Sequence, residues 1–274
     1  MRVLVTGHRG YIGSPLVERL KAAGHEVVGV DTELYEDCTF GVNKDSGIPT
    51  INRDIRELSP ADLEGIDAIA HLAGICNDPL GDLLPETTYD INHAATVQLA
   101  RLAKASGARR FVFSSSCSVY GAAGQEWIDE QSEPNPITPY GLSKWNAEIE
   151  LSQLAGDQFS PVFLRSATAY GFSPRIRFDL VLNNLTAHGP AHRACCSPSP
   201  WRARHGWSVD ALCCTDQQPG EVSPVHLHSY EAKSSGLERA DPPLCEDHET
   251  KVKVVNVHMR VACNRAARPA DPSL

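Results

Sequence analysis

The chain has 274 residues, of which 42% are hydrophobic, and it carries a formal net charge of -9. Its length is enough to bury a core as one large domain or as a domain with a smaller lobe, and its negative charge argues against a surface that binds nucleic acid. No apolar run is long enough to cross a bilayer and no secretory signal precedes the first strand-like residues, so the sequence predicts a cytoplasmic protein without a membrane partner.

The first two thirds of the chain alternate short β-branched runs with segments that carry apolar residues at helical spacing. This alternation is typical of an α/β protein with a Rossmann-type, doubly wound parallel sheet covered by helices on both faces. In chain order, the predicted strands are Arg2–Thr6, Glu26–Asp31, Ala68–Leu72, Arg110–Ser114 and Pro161–Arg165, and the predicted helices are Ile12–Ala23, Ala94–Ala105 and Tyr140–Leu154.

Three glycines follow the first predicted strand and open the first predicted helix. Gly7, Gly10 and Gly13 have the spacing of a dinucleotide-binding turn. In such a turn the first glycine permits a tight bend, the second lets the backbone approach a pyrophosphate, and the third lets helix and strand pack closely. The start of the helix offers unpaired N–H groups and a partial positive charge to phosphates. A chance cluster of glycines is the weaker interpretation, because a strand precedes the turn and a helix follows it.

The second predicted strand ends at Asp31. A carboxylate at this position can accept hydrogen bonds from the adenosine ribose hydroxyls, and it repels a 2'-phosphate. The residues that follow, Thr32 to Leu34, include no cation that could bind such a phosphate. The sequence therefore favours NAD over NADP, and a solvated turn aspartate is the alternative.

Tyr140 and Lys144 are four positions apart in a predicted helix and therefore lie on one face of it. A phenol is a poor base at neutral pH, but an ammonium group and an oxidised nicotinamide would both stabilise the phenolate and lower the pKa of Tyr140. By itself this spacing is common on helix surfaces. Together with the glycine turn and the run Ser114–Ser116, it predicts proton transfer beside a bound nicotinamide.

In this order the motifs resemble those of the extended short-chain dehydrogenases/reductases, and specifically the NAD-dependent epimerase/dehydratase family that acts on nucleotide-diphosphate sugars. The resemblance extends from Met1 to about Leu185. It implies a Rossmann domain over residues 1–187, NAD as cofactor, a nucleotide-diphosphate sugar as partner and, as in many members, a homodimer. Besides the residues above, it depends on the motifs Asp54-Ile55, His71–Gly74, Asn92, Ser114–Gly121, Leu164-Arg165 and Ala169–Gly171.

The resemblance also implies roles for single residues. Ser116 would hydrogen-bond the sugar, Tyr140 would act as acid and base, and Lys144 would bind the nicotinamide ribose and tune Tyr140. Asp54 and Ile55 would flank the adenine. The further implied cofactor contacts are Arg9, Tyr11 and Ile12 in the glycine turn, Leu72, Ala73 and Gly74 behind the cofactor, Asn92, and Ser114. The implied contacts to a substrate phosphate are Asn183 or Asn184, with a structural amide as the alternative.

The two residues after Ser116 bear on the type of reaction. Dehydratases of the family carry an Asp-Glu pair there, which protonates and removes the leaving group, whereas this chain has Cys117 and Ser118. The resemblance therefore implies an epimerase that works through a transient 4-keto sugar, with Tyr140 taking the C4 hydroxyl proton and NAD taking and returning the hydride. A 4-ketoreductase or dehydrogenase would use the same residues in one direction. A non-catalytic NAD-binding protein is the alternative from another class.

The sequence changes character at about His188, where the motifs of the family stop. Residues 188–274 are rich in Pro, His, Arg, Trp and Cys, with one plausible strand at Lys251–Val257. We interpret them as a small, divergent or truncated C-terminal segment in place of the substrate lobe, poor in the apolar surface that ordering needs. A shift of reading frame is one hypothesis for the change. Adjacent cysteines lack the spacing of zinc knuckles, so the sequence predicts no metal site; the weaker alternative is zinc held by Cys195, Cys196, Cys213, Cys214 and His205.

Overall fold

The computed structural model describes residues 1–36, 38–39, 47–76, 78–121, 128–188, 253–257 and 260–261. The strands are β1 (Arg2–Thr6), β2 (Glu26–Asp31), β3 (Thr50–Asn52), β4 (Ala68–His71), β5 (Arg110–Ser116), β6 (Ser160–Ser166), β7 (Tyr170–Gly171), β8 (Lys253–Val257) and β9 (Arg260–Val261). The α-helices are α1 (Gly13–Ala22), α2 (Asp78–Leu83), α3 (Pro85–Tyr89), α4 (Thr96–Ala105), α5 (Pro139–Leu154) and α6 (Val181–His188).

Seven of the described strands form one parallel sheet, in the order β3-β2-β1-β4-β5-β6-β8, and β7 pairs separately with β9. The order of the strands reverses between β1 and β4. In sheets of this kind, the carboxyl ends of the strands beside that reversal border a ligand-binding crevice. The glycine turn follows β1, and the predicted Leu72–Gly74 motif follows β4. The predicted doubly wound parallel sheet is confirmed.

Alternate residues of β1 pack on opposite faces of the sheet. Val3 and Val5 join Val17 of α1 in one buried apolar cluster, whereas Leu4 joins Phe111 and Phe113 of β5 in another. Because both faces are covered, the strands need apolar residues at successive positions, and this is why they are recognisable as continuous runs.

Several described elements were not predicted, namely α2, α3, α6, β7 and β9, and others differ from their predicted form. β5 and β6 extend beyond their predicted ends, because the two strands pair as far as Ser116 and Ser166. β3 was not predicted, since three residues carry too short a pattern to distinguish a strand from a loop. The helix predicted from Ala94 is a π-helical turn over Asp90–Ala95 and becomes an α-helix only at Thr96.

The strand predicted at Lys251–Val257 corresponds to β8, which pairs with the edge of β6. The chain divides into two compact units, one formed by Met1–Asn183 with Asp247–Leu274 and the other by Asn184–Glu246. Of the second unit the structure describes only residues 184–188. Most of the predicted C-terminal segment, with all five residues of the zinc alternative, lies outside the described residues.

Within the described ranges, no helix combines the length and hydropathy needed to span a membrane. Those same ranges contain no group of three or more His, Cys, Asp or Glu side chains arranged to hold a metal ion.

Candidate active site

The glycine turn is a tight bend that leaves no room for side chains. Gly7 has a φ of 69°, and a Cβ on it would lie 2.9 Å from the Ala73 nitrogen. A Cβ on Gly13 would lie 2.1 Å from the Gly7 oxygen. No side chain caps the first turn of α1, in which the Ser14 nitrogen donates to the Gly10 oxygen at 3.1 Å and Pro15 has no N–H. A bend of bare backbone at the start of a helix fits a pyrophosphate group.

Asp31 lies beside this turn, at the end of β2. Its Oδ2 accepts a hydrogen bond of 3.0 Å from the Arg9 nitrogen, and its Oδ1 accepts one of 3.0 Å from the Glu33 nitrogen. Each carboxylate oxygen keeps a lone pair that a ribose hydroxyl could use. The Arg9 guanidinium pairs with Glu33 at 2.8 Å. The Asp31 carboxylate repels a 2'-phosphate, and the nearby Arg9 guanidinium is already paired with Glu33, so this end of β2 favours the free 2'-hydroxyl of NAD.

Ser114, Ser116, Tyr140 and Lys144 come together where β5 ends and α5 begins. Thr138 caps α5, accepting a hydrogen bond of 3.1 Å from the Gly141 nitrogen. The Lys144 Nζ donates a hydrogen bond of 2.9 Å to the Ser114 carbonyl oxygen and lies 5.9 Å from the centre of the Tyr140 ring. The Ser116 hydroxyl is near enough to the Tyr140 phenol to lower its pKa. The structure thus assembles the four residues that the motifs select.

Lys144 carries its charge in an enclosed position. The side chain is buried, and its Nζ lies 4.6 Å from the centre of the Phe113 ring. Burial lowers the pKa of Lys144 to about 8, and the charge of Glu148 opposes that shift. Near neutral pH the ammonium therefore persists, with a carbonyl oxygen and an aromatic face as its neighbours.

Burial raises the pKa of Tyr140 to about 12. The hydrogen bond from Ser116 and the charge of Arg177 lower the pKa, but desolvation outweighs both. The protein alone therefore keeps the phenol protonated, because the phenolate would be poorly solvated. Lowering the pKa of Tyr140 towards neutrality would need the further positive charge that an oxidised nicotinamide carries.

Three neighbours of Tyr140 had no signal in the sequence. Cys76 and Asp78, which follow β4, raise the pKa of Tyr140 through their charge, while Arg177 lowers it. The Arg177 Nη1 donates a hydrogen bond of 3.0 Å to the Cys76 sulfur, and its other nitrogens hold Asp179. Cys76 and Arg177 are distant in sequence, so only the fold brings them together.

Asn92 is fully buried and holds the segment that follows β4. Its Oδ1 accepts a hydrogen bond of 2.8 Å from the Ile75 nitrogen, and its Nδ2 donates to the Ile75 oxygen at 2.8 Å and to Ser143 of α5 at 3.3 Å. The Leu72 and Ala73 nitrogens each donate to the Thr6 hydroxyl at 3.2 Å. These bonds fix the wall of the crevice, so Asn92 acts here on the backbone; a contact between Asn92 and the cofactor stays a prediction.

The remaining predicted residues have different surroundings. Asp54 accepts hydrogen bonds from Arg56 and caps a short 3-10 helix, while Ile55 is buried in the core. The Tyr11 and Ile12 side chains pack against residues 169–180 rather than towards the turn. Asn183 is buried and Asn184 is exposed.

Comparison with known proteins identifies relatives of most of the described chain. A sequence model of the NAD dependent epimerase/dehydratase family matches residues 3–189. The chain is 36% identical over 162 residues to a UDP-glucose 4-epimerase of Mycolicibacterium smegmatis, a match that covers 56% of this chain and 50% of that protein. It is 31% identical to an uncharacterized UDP-glucose epimerase of Bacillus subtilis, YtcB, covering 68% of this chain and 61% of the relative. The chain thus spans about half the length of the first of these relatives.

Solved structures of similar fold include those of MoeE5 and TunA. MoeE5 in complex with UDP-glucose and NAD superposes with a TM-score of 0.60 at 32% identity, covering 69% of this chain and 60% of MoeE5. TunA, an NAD-dependent NDP-hexosamine 5,6-dehydratase of tunicamycin biosynthesis, superposes with a TM-score of 0.63 at 27% identity, covering 70% of this chain and 62% of TunA.

Proposed function

Because the chain belongs to the NAD-dependent epimerase/dehydratase family, we propose that it epimerises a nucleotide-diphosphate sugar at C4 through a transient 4-keto sugar, with Tyr140 as the acid and base. The observation that carries this proposal is the grouping of Ser116, Tyr140 and Lys144 at the edge of the sheet where the glycine turn also lies. A protein that only bound NAD would have no need of a serine and a lysine around a half-buried phenol.

The bend at Gly7, Gly10 and Gly13 would hold the pyrophosphate of NAD, Asp31 the adenosine ribose, and Lys144 the nicotinamide ribose. NAD, when bound, supplies the hydride acceptor and donor for the sugar carbon. The family relationship and the bare backbone of the turn support this assignment.

Tyr140 would take the proton from the C4 hydroxyl of the sugar. It would return that proton after the 4-keto sugar has rotated and presents its opposite face to the cofactor. Ser116 would donate a hydrogen bond to the sugar oxygen while that proton moves. Lys144, held by its hydrogen bond to the Ser114 carbonyl oxygen, would favour the phenolate form of Tyr140 through its charge. Burial makes these interactions stronger than they would be in water.

Cys117 and Ser118 support epimerisation over dehydration. Burial raises the pKa of the Cys117 thiol, and the thiol donates a hydrogen bond of 3.3 Å to the Arg165 carbonyl oxygen. A neutral thiol held in this way is a poor acid or base for removing a leaving group. The serine hydroxyl beside it does not titrate near neutral pH.

The test is turnover of a panel of nucleotide-diphosphate sugars, starting with UDP-glucose, followed by NMR of the sugar. We expect two C4 epimers that interconvert without net consumption of NAD, and a fall of about 10²- to 10⁴-fold in kcat for Tyr140→Phe. Tyr89→Phe is the matched control, since that half-buried tyrosine lies in α3 outside the group.

Other outcomes separate the alternatives. One-directional reduction that consumes NADH in proportion to product would indicate a 4-ketoreductase or dehydrogenase. NAD binding without turnover, equal in the wild type and Tyr140→Phe, would indicate a non-catalytic NAD-binding protein. The homodimer that the resemblance implies stays a prediction, which light scattering on the purified chain would test.

A further inference from the structure

Asn183 is the centre of a closed hydrogen-bond network near the glycine turn. Its Oδ1 accepts a hydrogen bond of 2.9 Å from the Gly171 nitrogen, and its Nδ2 donates to the Arg177 oxygen at 3.0 Å and to the Tyr11 hydroxyl at 3.1 Å. The Tyr11 hydroxyl in turn donates to the Gly171 oxygen at 2.7 Å. An amide nitrogen carries two hydrogens. Both are used here, so Asn183 has no donor left for a substrate phosphate.

The network holds one segment, residues 169–183, which we term the cover segment. It packs on the glycine turn through a small apolar cluster that is separate from the two clusters of the sheet. Tyr11 and Ala169 are buried in this cluster, and Ile12, Ile176 and Leu180 pack against it. The position of the cover segment therefore depends on the glycine turn.

The same segment reaches the catalytic tyrosine through Arg177. The Arg177 backbone oxygen accepts a hydrogen bond from Asn183, and its guanidinium donates to the Cys76 sulfur at 3.0 Å and to the Asp179 carboxylate. The Arg177 charge lowers the pKa of Tyr140. Both ends of the cover segment, Gly171 and Asn183, thus bond to Tyr11 of the glycine turn, and Arg177 between them carries a charge that acts on Tyr140.

We infer that Asn183 is a positioning residue, which fixes Arg177 relative to the glycine turn and so couples occupancy of that turn to the charge beside Tyr140. This inference rests on the proposed function for its kinetic consequences, but not for its effect on NAD binding. Removing the amide would release the Arg177 backbone and the Tyr11 hydroxyl together. Removing the Tyr11 hydroxyl would weaken the same network from the side of the turn.

The experiment compares Asn183→Asp, which keeps the acceptor and loses both N–H donors, with Tyr11→Phe and with the double variant. Gln153→Glu is the matched control, an amide-to-acid change at an exposed position of α5. For each variant we would measure the Kd for NAD by calorimetry, kcat and KM for the nucleotide sugar, the pH profile of kcat, and urea unfolding.

We expect each single variant to weaken NAD binding by about tenfold, as the loss of a buried hydrogen bond implies. The double variant should weaken it by little more, because both changes act on one network. In active variants kcat should fall more than KM rises. The groups around Tyr140 are Ser116, Cys76, Asp78, Lys144 and Arg177; displacing Arg177 removes a charge that favours the phenolate, so the basic group in the pH profile should titrate at higher pH.

Three results would overturn the inference. A rise in KM with unchanged kcat and a silent Tyr11→Phe would mean that Asn183 contacts the substrate. Lower stability to urea with unchanged NAD affinity and pH profile would mean a structural role only. Full additivity of the two variants would mean that they act separately. If no sugar is turned over, the proposed function fails, while the calorimetry still decides whether Asn183 and Tyr11 support the turn.

Discussion

Glu148 and Arg165 form an ion pair in the core beneath α5, and its disruption is the sharpest test of the packing around the site. The Arg165 Nη2 donates to the Glu148 Oε2 at 2.7 Å, and Ser115 donates to the Oε1 at 2.5 Å. The remaining guanidinium face is used as well, because Nη1 donates to the Tyr120 hydroxyl at 2.8 Å. The Arg165 side chain is only 5% exposed and that of Glu148 only 2%, so water cannot replace a missing partner.

Glu148→Gln would leave the guanidinium in the core without a counter-charge. Breaking a buried pair in this way costs about 3–5 kcal/mol, a large part of the roughly 5–15 kcal/mol that stabilises a typical domain. We would measure urea unfolding by tryptophan fluorescence, since the Trp145 ring lies 5.6 Å from the Arg165 guanidinium carbon. Lys144 lies one helical turn before Glu148, so kcat should fall in the same variant.

The control is Glu150→Gln, two positions further along α5. Glu150 pairs with His93 at 2.7 Å and Arg101 at 3.1 Å, but it is 37% exposed, and a surface pair is worth about 0–1 kcal/mol. Adding Arg165→Met to Glu148→Gln should recover part of the loss, because no unpaired charge then remains. A loss below about 1 kcal/mol for Glu148→Gln, or a double variant as unstable as the sum of its parts, would refute the reasoning.

Three further predictions concern the sheet and the turn. Gly29→Ala should destabilise the fold, because its Cβ would lie 2.6 Å from the His8 ring; His8→Ala should restore much of the stability to urea, and no such rescue would mean that the clash lies elsewhere. Gly13→Ala should abolish NAD binding in calorimetry, since its Cβ would meet the Gly7 oxygen at 2.1 Å, and retained binding would argue against the turn as the phosphate site. Burial lowers the pKa of His71 to about 3 from its ordinary 6.5. Between these two pH values the unfolded chain binds a proton at His71 and the folded chain does not. The free energy of unfolding should therefore fall by up to about 1.4 kcal/mol per pH unit as pH drops from 6.5 towards 3. His71→Gln should show a shallower acid dependence, and an unchanged slope would contradict this assignment.

The parts of the fold that the sequence predicts are those with strong local patterns. β1, β2 and β5 are continuous apolar runs between helical segments, because both faces of the sheet are covered. β3 escaped prediction because three residues carry no period, and its place is decided by pairing with β2. The π-helical turn at Asp90–Ala95 also has no local signal. It coincides with Asn92, whose side chain bonds to the Ile75 backbone in the segment after β4.

The same distinction holds for the site. Tyr140 and Lys144 are predictable because helical spacing places them together, whereas Cys76 and Arg177 meet through sheet topology. The sequence left two interpretations of Asn183 open, a phosphate ligand or a structural amide. Only the positions of Tyr11, Gly171 and Arg177 show that both its N–H groups already have acceptors.

The pairing of β8 with β6 affects the order in which the chain can assemble. Val162 is opposite Lys253, so the last strand reaches the sheet only after a long intervening stretch has been synthesised. Strands β1 to β6 are complete by Ser166 and can associate during translation, but the edge of β6 then presents unpaired backbone groups. Closing so long a loop slows folding. A nascent chain paused before residue 253 would therefore be prone to edge-to-edge aggregation, and a chaperone that shields this edge would raise the yield of folded protein.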